Sequence, residues 1–243
     1  MCTNFVPTRG SILQERFGVQ EPEIAFREEA YPGYLSPMIR TRDDAQPQCD
    51  AAVFGLIPSW SKDGKNFRFC YNARSETVAE KPSFRNAWRK NQFSIVPADA
   101  FYEPCYESGK AVRWSIGMAT GEPMGLAAIW EAWKRPPTEA GKPRPGPADL
   151  DLLDDDWVIS FSLLTVNATG HGVMARFHRP EDEKRSVVIL PPKHYAAWLG
   201  ANNSTARDFL RTVETNQLQA FPAPKKPTKT AVKRPAKPIR KLI

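Results

Sequence analysis

The sequence predicts an α+β fold: a curved, barrel-like, mostly antiparallel sheet with peripheral helices. Two observations carry this. Short β-rich segments recur along the chain, at 51–57, 93–96, 101–103, 112–116, 124–130, 157–166 and 187–190. Helical periodicity is confined to a few short stretches between them. Many strands with few helices favour a sheet curled around its own core.

The elements follow in order. The chain is irregular from Pro7 and turns helical where Ile12, Leu13 and Phe17 fall on one face. Residues 21–48 mix proline and charge and read as strands and loops. The apolar run 51–57 is a strand ended by Pro58. Residues 81–90 read as a helix, with Phe84 and Trp88 four apart. A strand at 93–96 is followed by a turn at 97–100 and a second extended piece at 101–103. The five prolines and two glycines of 135–149 mark a loop. Two helices are expected at 191–199 and 205–213, the second with Ser204 as N-cap.

Charge divides the 243-residue chain into two parts. From Phe221 onward there are eight basic residues, five prolines and no acid. Removing those eight from the 34 basic residues leaves 26 against 27 acids, so residues 1–220 carry a net charge of −1. A single domain over 1–220 and an extended, disordered basic tail over 221–243 are expected. Such a tail attracts polyanions without reading sequence. No run approaches the roughly 18 apolar residues of a membrane span. The expectation is a cytoplasmic monomer, nucleoid-associated if bacterial, with no membrane partner.

Cys2, Cys49, Cys70 and Cys105 form no C-x-x-C pair, and the three histidines complete no zinc spacing. No glycine-rich phosphate loop is present. Neither a metal nor a cofactor is expected. Cys2 stands apart from the other cysteines. Once Met1 is removed, it carries a thiol and a free α-amine on one framework. An aldehyde can condense with that amine and be captured by the thiol, closing a five-membered thiazolidine.

Four further segments accompany it: Phe54-Gly55-Leu56-Ile57-Pro58-Ser59-Trp60; Asn72-Ala73-Arg74-Ser75-Glu76-Thr77; Val96 to Glu103; and Phe161 to Ala168, leading to Phe177-His178-Arg179 and 187–190. Together with Cys2 they resemble the SRAP family, abasic-site processing proteins that crosslink to damaged single-stranded DNA. The resemblance runs from Cys2 to about Phe221. It implies a single α+β domain with Cys2 at the base of a DNA-binding cleft. It also implies catalytic roles for Cys2, Asn72, Glu103 and His178, with the ring-opened aldehyde of an abasic deoxyribose in single-stranded DNA as substrate.

The chemistry of these residues fits such roles. Glu103 is suited to shuttling protons to and from the amine. His178, as an imidazole, suits protonation of the sugar ring oxygen. Asn72 offers a donor and an acceptor without charge. His171 competes with His178 but sits in a loop behind a glycine. Arg74 is the first candidate for phosphate contact, followed by Arg179 and Arg185, then Lys81 and Arg85. Trp60 is a candidate for base stacking, whereas Phe101 reads as core. An N-terminal nucleophile amidohydrolase and a non-covalent single-strand binder remain alternatives.

Three departures from the family pattern stand out. Asn4 replaces an arginine, Pro104 replaces an aromatic, and Pro180 to Lys184 intervene after the histidine segment. The three acids of that insert, Glu181, Asp182 and Glu183, are expected to point outward.

Overall fold

Side chains alternate along residues 124–134, and that alternation decides the architecture. Leu126 and Ala128 face one buried cluster, together with Phe5, Phe54, Phe101 and Phe161. Ala127 and Ile129 face another, together with Trp88, Phe93 and Trp198. A strand buried on both faces has core on one side and helices on the other.

The computed structural model describes residues 2–42, 45–138, 144–153 and 155–225. Its elements are β1 (Phe5–Pro7), α1 (Ser11–Phe17), β2 (Leu35–Thr41), β3 (Pro47–Phe54), β4 (Asn72–Arg74), α2 (Arg85–Arg89) and β5 (Phe93–Cys105). There follow β6 (Val112–Met118), β7 (Met124–Lys134), β8 (Trp157–Asn167), β9 (Arg185–Val187), β10 (Ile189–Leu190), α3 (Tyr195–Leu199) and β11 (Leu218–Pro222). Five strands close a ring in the order β7-β8-β3-β2-β5, with β5 returning to β7. The pairings of β8 with β3 and with β4 are parallel, and the other ladders are antiparallel. The expected α+β barrel-like sheet is therefore present. Among the described residues no helix is long and apolar enough to cross a membrane.

Several local expectations change. The turn expected at 97–100 lies within the thirteen-residue β5. Its first half closes the barrel against β7 and its second half pairs with β6, with β1 on its other edge. The change of partner falls between Ala98, the last to pair with β7, and Phe101, the first to pair with β6, and the Pro97 carbonyl accepts the Thr8 N–H at 3.1 Å. The helix expected at 205–213 is a 3-10 turn at Thr205–Phe209. Its N-terminal N–H groups bond Asn202 Oδ1, not Ser204: Ser204 N donates at 2.9 Å and Thr205 N at 3.0 Å. Residues 221 and 222 belong to β11 and pair with Ser115 and Trp114, so the sheet extends past the expected domain boundary. The tail expected to be disordered falls largely on 226–243, outside the described residues.

Gly55 shows why its motif needs glycine. Its φ is +107°, and a Cβ there would lie 2.4 Å from the Phe67 carbonyl oxygen.

Inside the barrel Phe5, Phe54 and Phe161 form one aromatic cluster. Phe5 meets Phe54 edge-on at 5.2 Å, and Phe54 stacks on Phe161 at 5.4 Å. Phe161→Ala is expected to cost about 3–5 kcal/mol. Urea unfolding should show a lowered midpoint with an unchanged m-value; a loss under 1 kcal/mol would contradict this packing role.

Candidate functional site

The β1–β5 ladder brings Cys2 to Glu103. Phe5 opposes Phe101, and the Tyr102 N–H donates to the Asn4 carbonyl at 3.1 Å. Running that antiparallel register back toward residue 2 sets Cys2 abreast of Glu103 and Pro104. Cys2 is wholly buried, and its thiol donates to the Asn4 carbonyl at 3.4 Å. Burial first, and the Glu103 charge second, push this thiol well above the usual cysteine range. The Asn72 amide donates to the Cys2 carbonyl at 2.7 Å from the start of β4. Its Oδ1 is buried and has no hydrogen-bond partner among the described residues, so an acceptor is left open beside Cys2.

Glu103 lies in register with Phe101 and Cys105 on the inward face of β5, and all three are buried. A buried carboxylate needs a partner. His178 supplies one: its Nε2 lies 3.0 Å from Glu103 Oε2. The chain reaches that point by extending the β5 edge. Cys105 bridges to Phe177, and the His178 N–H donates to the Pro104 carbonyl at 2.9 Å.

His178 has a φ of +65°, one of three positive values among described non-glycine residues. Such a conformation costs on the order of 1–3 kcal/mol and persists only where the surroundings enforce it. Here they do. Phe177 is fully buried, and Lys184 donates to the carbonyls of Phe177, His178 and Arg179 at 3.1, 3.4 and 2.6 Å.

His171 has a different place. Its Nδ1 accepts the N–H groups of Val173 and Met174 at 3.2 and 3.1 Å, and its Nε2 donates to the Val213 carbonyl at 2.9 Å. All its ring nitrogens are thus committed to bracing a loop. Phe101 is fully buried, as expected of a core residue.

The cationic residues are more dispersed. Arg74 is exposed and shares a face of β4 with Asn72. Lys81 and Arg85 are exposed on the segment that follows, and Arg179 is exposed above the Tyr106 ring. Trp60 is 52% exposed, in a turn after Pro58. Arg185 requires a correction. Its side chain is only 2% exposed and bonds Glu76 at 2.9 Å, Glu183 at 2.7 Å and the Thr165 carbonyl at 2.7 Å. It anchors β9 to β8 and is not a free surface cation.

Glu181, Asp182 and Glu183 are all exposed, as expected, but Glu183 also reaches two arginines. It accepts from Arg185 and pairs with Arg74 at 2.9 Å, covering the first candidate for phosphate contact.

Two cavities flank the Glu103–His178 pair. One, of about 310 Å³, is bordered by Asn4, Tyr31, Tyr102, Glu103 and Arg113. The other, of about 400 Å³, is bordered by Tyr106, Arg176, His178 and Lys184. Tyr71 belongs to the same neighbourhood: burial, then the charges of Glu103 and Cys2, raise its hydroxyl pKa. The sequence reading missed Tyr71, Lys184 and Arg113. Only Tyr71, next to Asn72, carried a positional hint. Among the described residues no group of three or more His, Cys, Asp or Glu is placed to hold a metal.

The chain is similar in sequence and fold to known proteins. A solved structure from Bordetella bronchiseptica is 31% identical, with a TM-score of 0.78, covering 91% of this chain and 99% of that one. Another, from Bacteroides thetaiotaomicron, is 18% identical with a TM-score of 0.70 and shares the fold. The abasic site processing proteins YoqW and YoaM of Bacillus subtilis are 37% and 29% identical over 173 residues, 69% of this chain. The chain covers 66% and 65% of those two relatives, just under two thirds of their length. Residues 1–229 match the profile described as SOS response associated peptidase (SRAP), and the chain belongs to that family.

Proposed function

We propose that this protein processes abasic sites in single-stranded DNA by forming a covalent thiazolidine through Cys2 after Met1 is removed. The convergence of Cys2, Asn72, Glu103 and His178 carries this reading. The relatives named as abasic site processing proteins support it.

The chemistry follows from the positions. His178 donates a proton to the ring oxygen of the abasic sugar as the C1′–oxygen bond breaks and the C1′ hydroxyl gives its proton to solvent, which exposes the C1′ aldehyde. The α-amine of Cys2, with a reference pKa near ~8, attacks that carbon. Glu103 relays the proton that converts the carbinolamine hydroxyl into departing water and leaves an imine. The Cys2 sulfur then adds to the imine carbon. Its proton passes by way of Glu103 to the nitrogen, and the ring closes. One water is released overall.

The thiol's raised pKa suits this order, because it keeps the sulfur protonated until the imine is present. The imine also acidifies the C2′ proton and favours β-elimination, a lyase side reaction that ring closure suppresses. Asn72 holds the Cys2 carbonyl and leaves its own oxygen for the amine. The same nucleophile, acting on the preceding peptide bond, accounts for removal of Met1.

Three outcomes test the reading. An abasic oligonucleotide should give a shifted band on denaturing electrophoresis with the wild-type protein and none with Cys2→Ala. An undiminished band for the variant would sink it. Glu103→Gln should slow crosslinking by about 10²–10⁴-fold. His178→Asn keeps a residue type that tolerates left-handed backbone. It should stay folded but melt below wild type, because Glu103 loses its partner, and it should crosslink about 10²-fold more slowly; an unchanged rate would remove His178 from the reaction.

Glu183→Gln uncovers Arg74 and should tighten lesion-free single-strand binding by about twofold to fivefold at low salt. That gain should disappear in an Arg74→Gln background. Equal gains in both backgrounds would contradict the role of the pair.

A further inference from the structure

The turn that carries His178 is closed by one side chain. The Asp182 N–H donates to the Arg179 carbonyl at 3.1 Å, and the chain then doubles back through Glu183 and Lys184. An ammonium has three protons to donate. Those of Lys184 go to the carbonyls of Phe177, His178 and Arg179, at 3.1, 3.4 and 2.6 Å. Successive carbonyls that converge on one point repel one another, as the open carbonyls at a helix C-terminus do, and a cation offsets that repulsion. Without it the peptide planes on either side of His178 lose their common anchor. His178 is also where the strain lies, at a φ of +65°. The adjacent acid does not compete for the ammonium, because Glu183 is taken up by Arg74 at 2.9 Å and by Arg185 at 2.7 Å.

The backbone and the side chain of Lys184 do separate things. Its carbonyl accepts the Ala168 N–H at 2.8 Å. The next residue begins β9, where Arg185 is fastened to Glu76 and to the Thr165 carbonyl. The strand is thus anchored without the ammonium. The ammonium holds the turn, and the turn sets the imidazole. The His178 N–H lies on the Pro104 carbonyl at 2.9 Å, and its Nε2 lies 3.0 Å from Glu103. Lys184 and His178 border the same cavity of about 400 Å³.

We propose that Lys184 is a positioning residue for opening of the abasic sugar ring. Its ammonium holds the His178 turn in the conformation that keeps the imidazole on Glu103 and within reach of the sugar. This rests on the abasic-site reading of Cys2. The step served is proton transfer from the His178 imidazolium to the ring oxygen, as the C1′–oxygen bond breaks and the C1′ hydroxyl gives its proton to solvent. Amine attack and thiol closure run through Cys2 and Glu103, so they do not depend on Lys184.

The test compares wild type with Lys184→Met at saturating protein, so that affinity does not enter the rate. Two oligonucleotides are used, one with an abasic site and one with an acyclic aldehyde, which has no ring to open, at the same position. On the abasic site the variant should crosslink about 10-fold to 10²-fold more slowly. On the acyclic aldehyde the two proteins should be equal. In a His178→Asn background, Lys184→Met should cost nothing further. Near-UV circular dichroism checks the fold. If Lys184→Met does not fold, Lys184→Gln, which keeps a donor without the charge, takes its place. Equal slowing of a folded variant on both substrates, no slowing on the abasic site, or a further loss in the His178→Asn background overturns the proposal.

If the wild-type protein does not crosslink to the abasic site, the abasic-site reading fails instead. The hold on His178 is then read from its imidazole signals in NMR spectra. They should shift in Lys184→Met, and unmoved signals overturn it.

Discussion

A few backbone hydrogen bonds hold the start of the chain against the second half of β5. The Tyr102 N–H donates to Asn4, the Phe5 N–H donates to Ala30, and the Phe5 carbonyl accepts the Ala30 N–H in return. Chain ends ordinarily fray. This one is retained because Phe5 fills the aromatic centre of the barrel, fully buried against Phe54 and Phe161. The same pairing sets Cys2 beside Glu103 and leaves its carbonyl to Asn72. Without that ladder, Cys2 would not be held beside the buried carboxylate.

Around this point the fold keeps charges in pairs. Glu103 is held by His178, Arg185 by Glu76 and Glu183, and Arg74 by Glu183. The domain thus maintains a buried carboxylate near a thiol, and the carboxylate's charge is felt by Cys2 and Tyr71. The left-handed backbone of His178 is one cost of this arrangement, held by Lys184 and buried Phe177.

The curled sheet was readable because 124–130 and 157–166 are mostly apolar, β-rich runs set among many short strands and few helices. Lengths were less readable. Pro97 and Asp99 signal a turn locally, yet β5 runs through them by exchanging partners, from β7 to β1 and β6. Short helices shrank because their stability comes from one buried face, as with Trp88 and Trp198, rather than from caps. The four residues singled out by the motifs do converge. What could not be read was which charges are already spent. Arg185 finds Glu76 from 109 positions away, and Glu183 folds back onto two arginines. Only the tertiary contacts reveal either.

The central claim is that Cys2 captures an aldehyde with both its amine and its thiol. The most direct measurement is the intact mass of the protein–oligonucleotide adduct, with peptide mapping of the attachment point. The account predicts the mass of the protein lacking Met1 plus the oligonucleotide minus one water, attached at Cys2 and unchanged by borohydride. An adduct that retains Met1, maps elsewhere, or gains two hydrogens on reduction would contradict it.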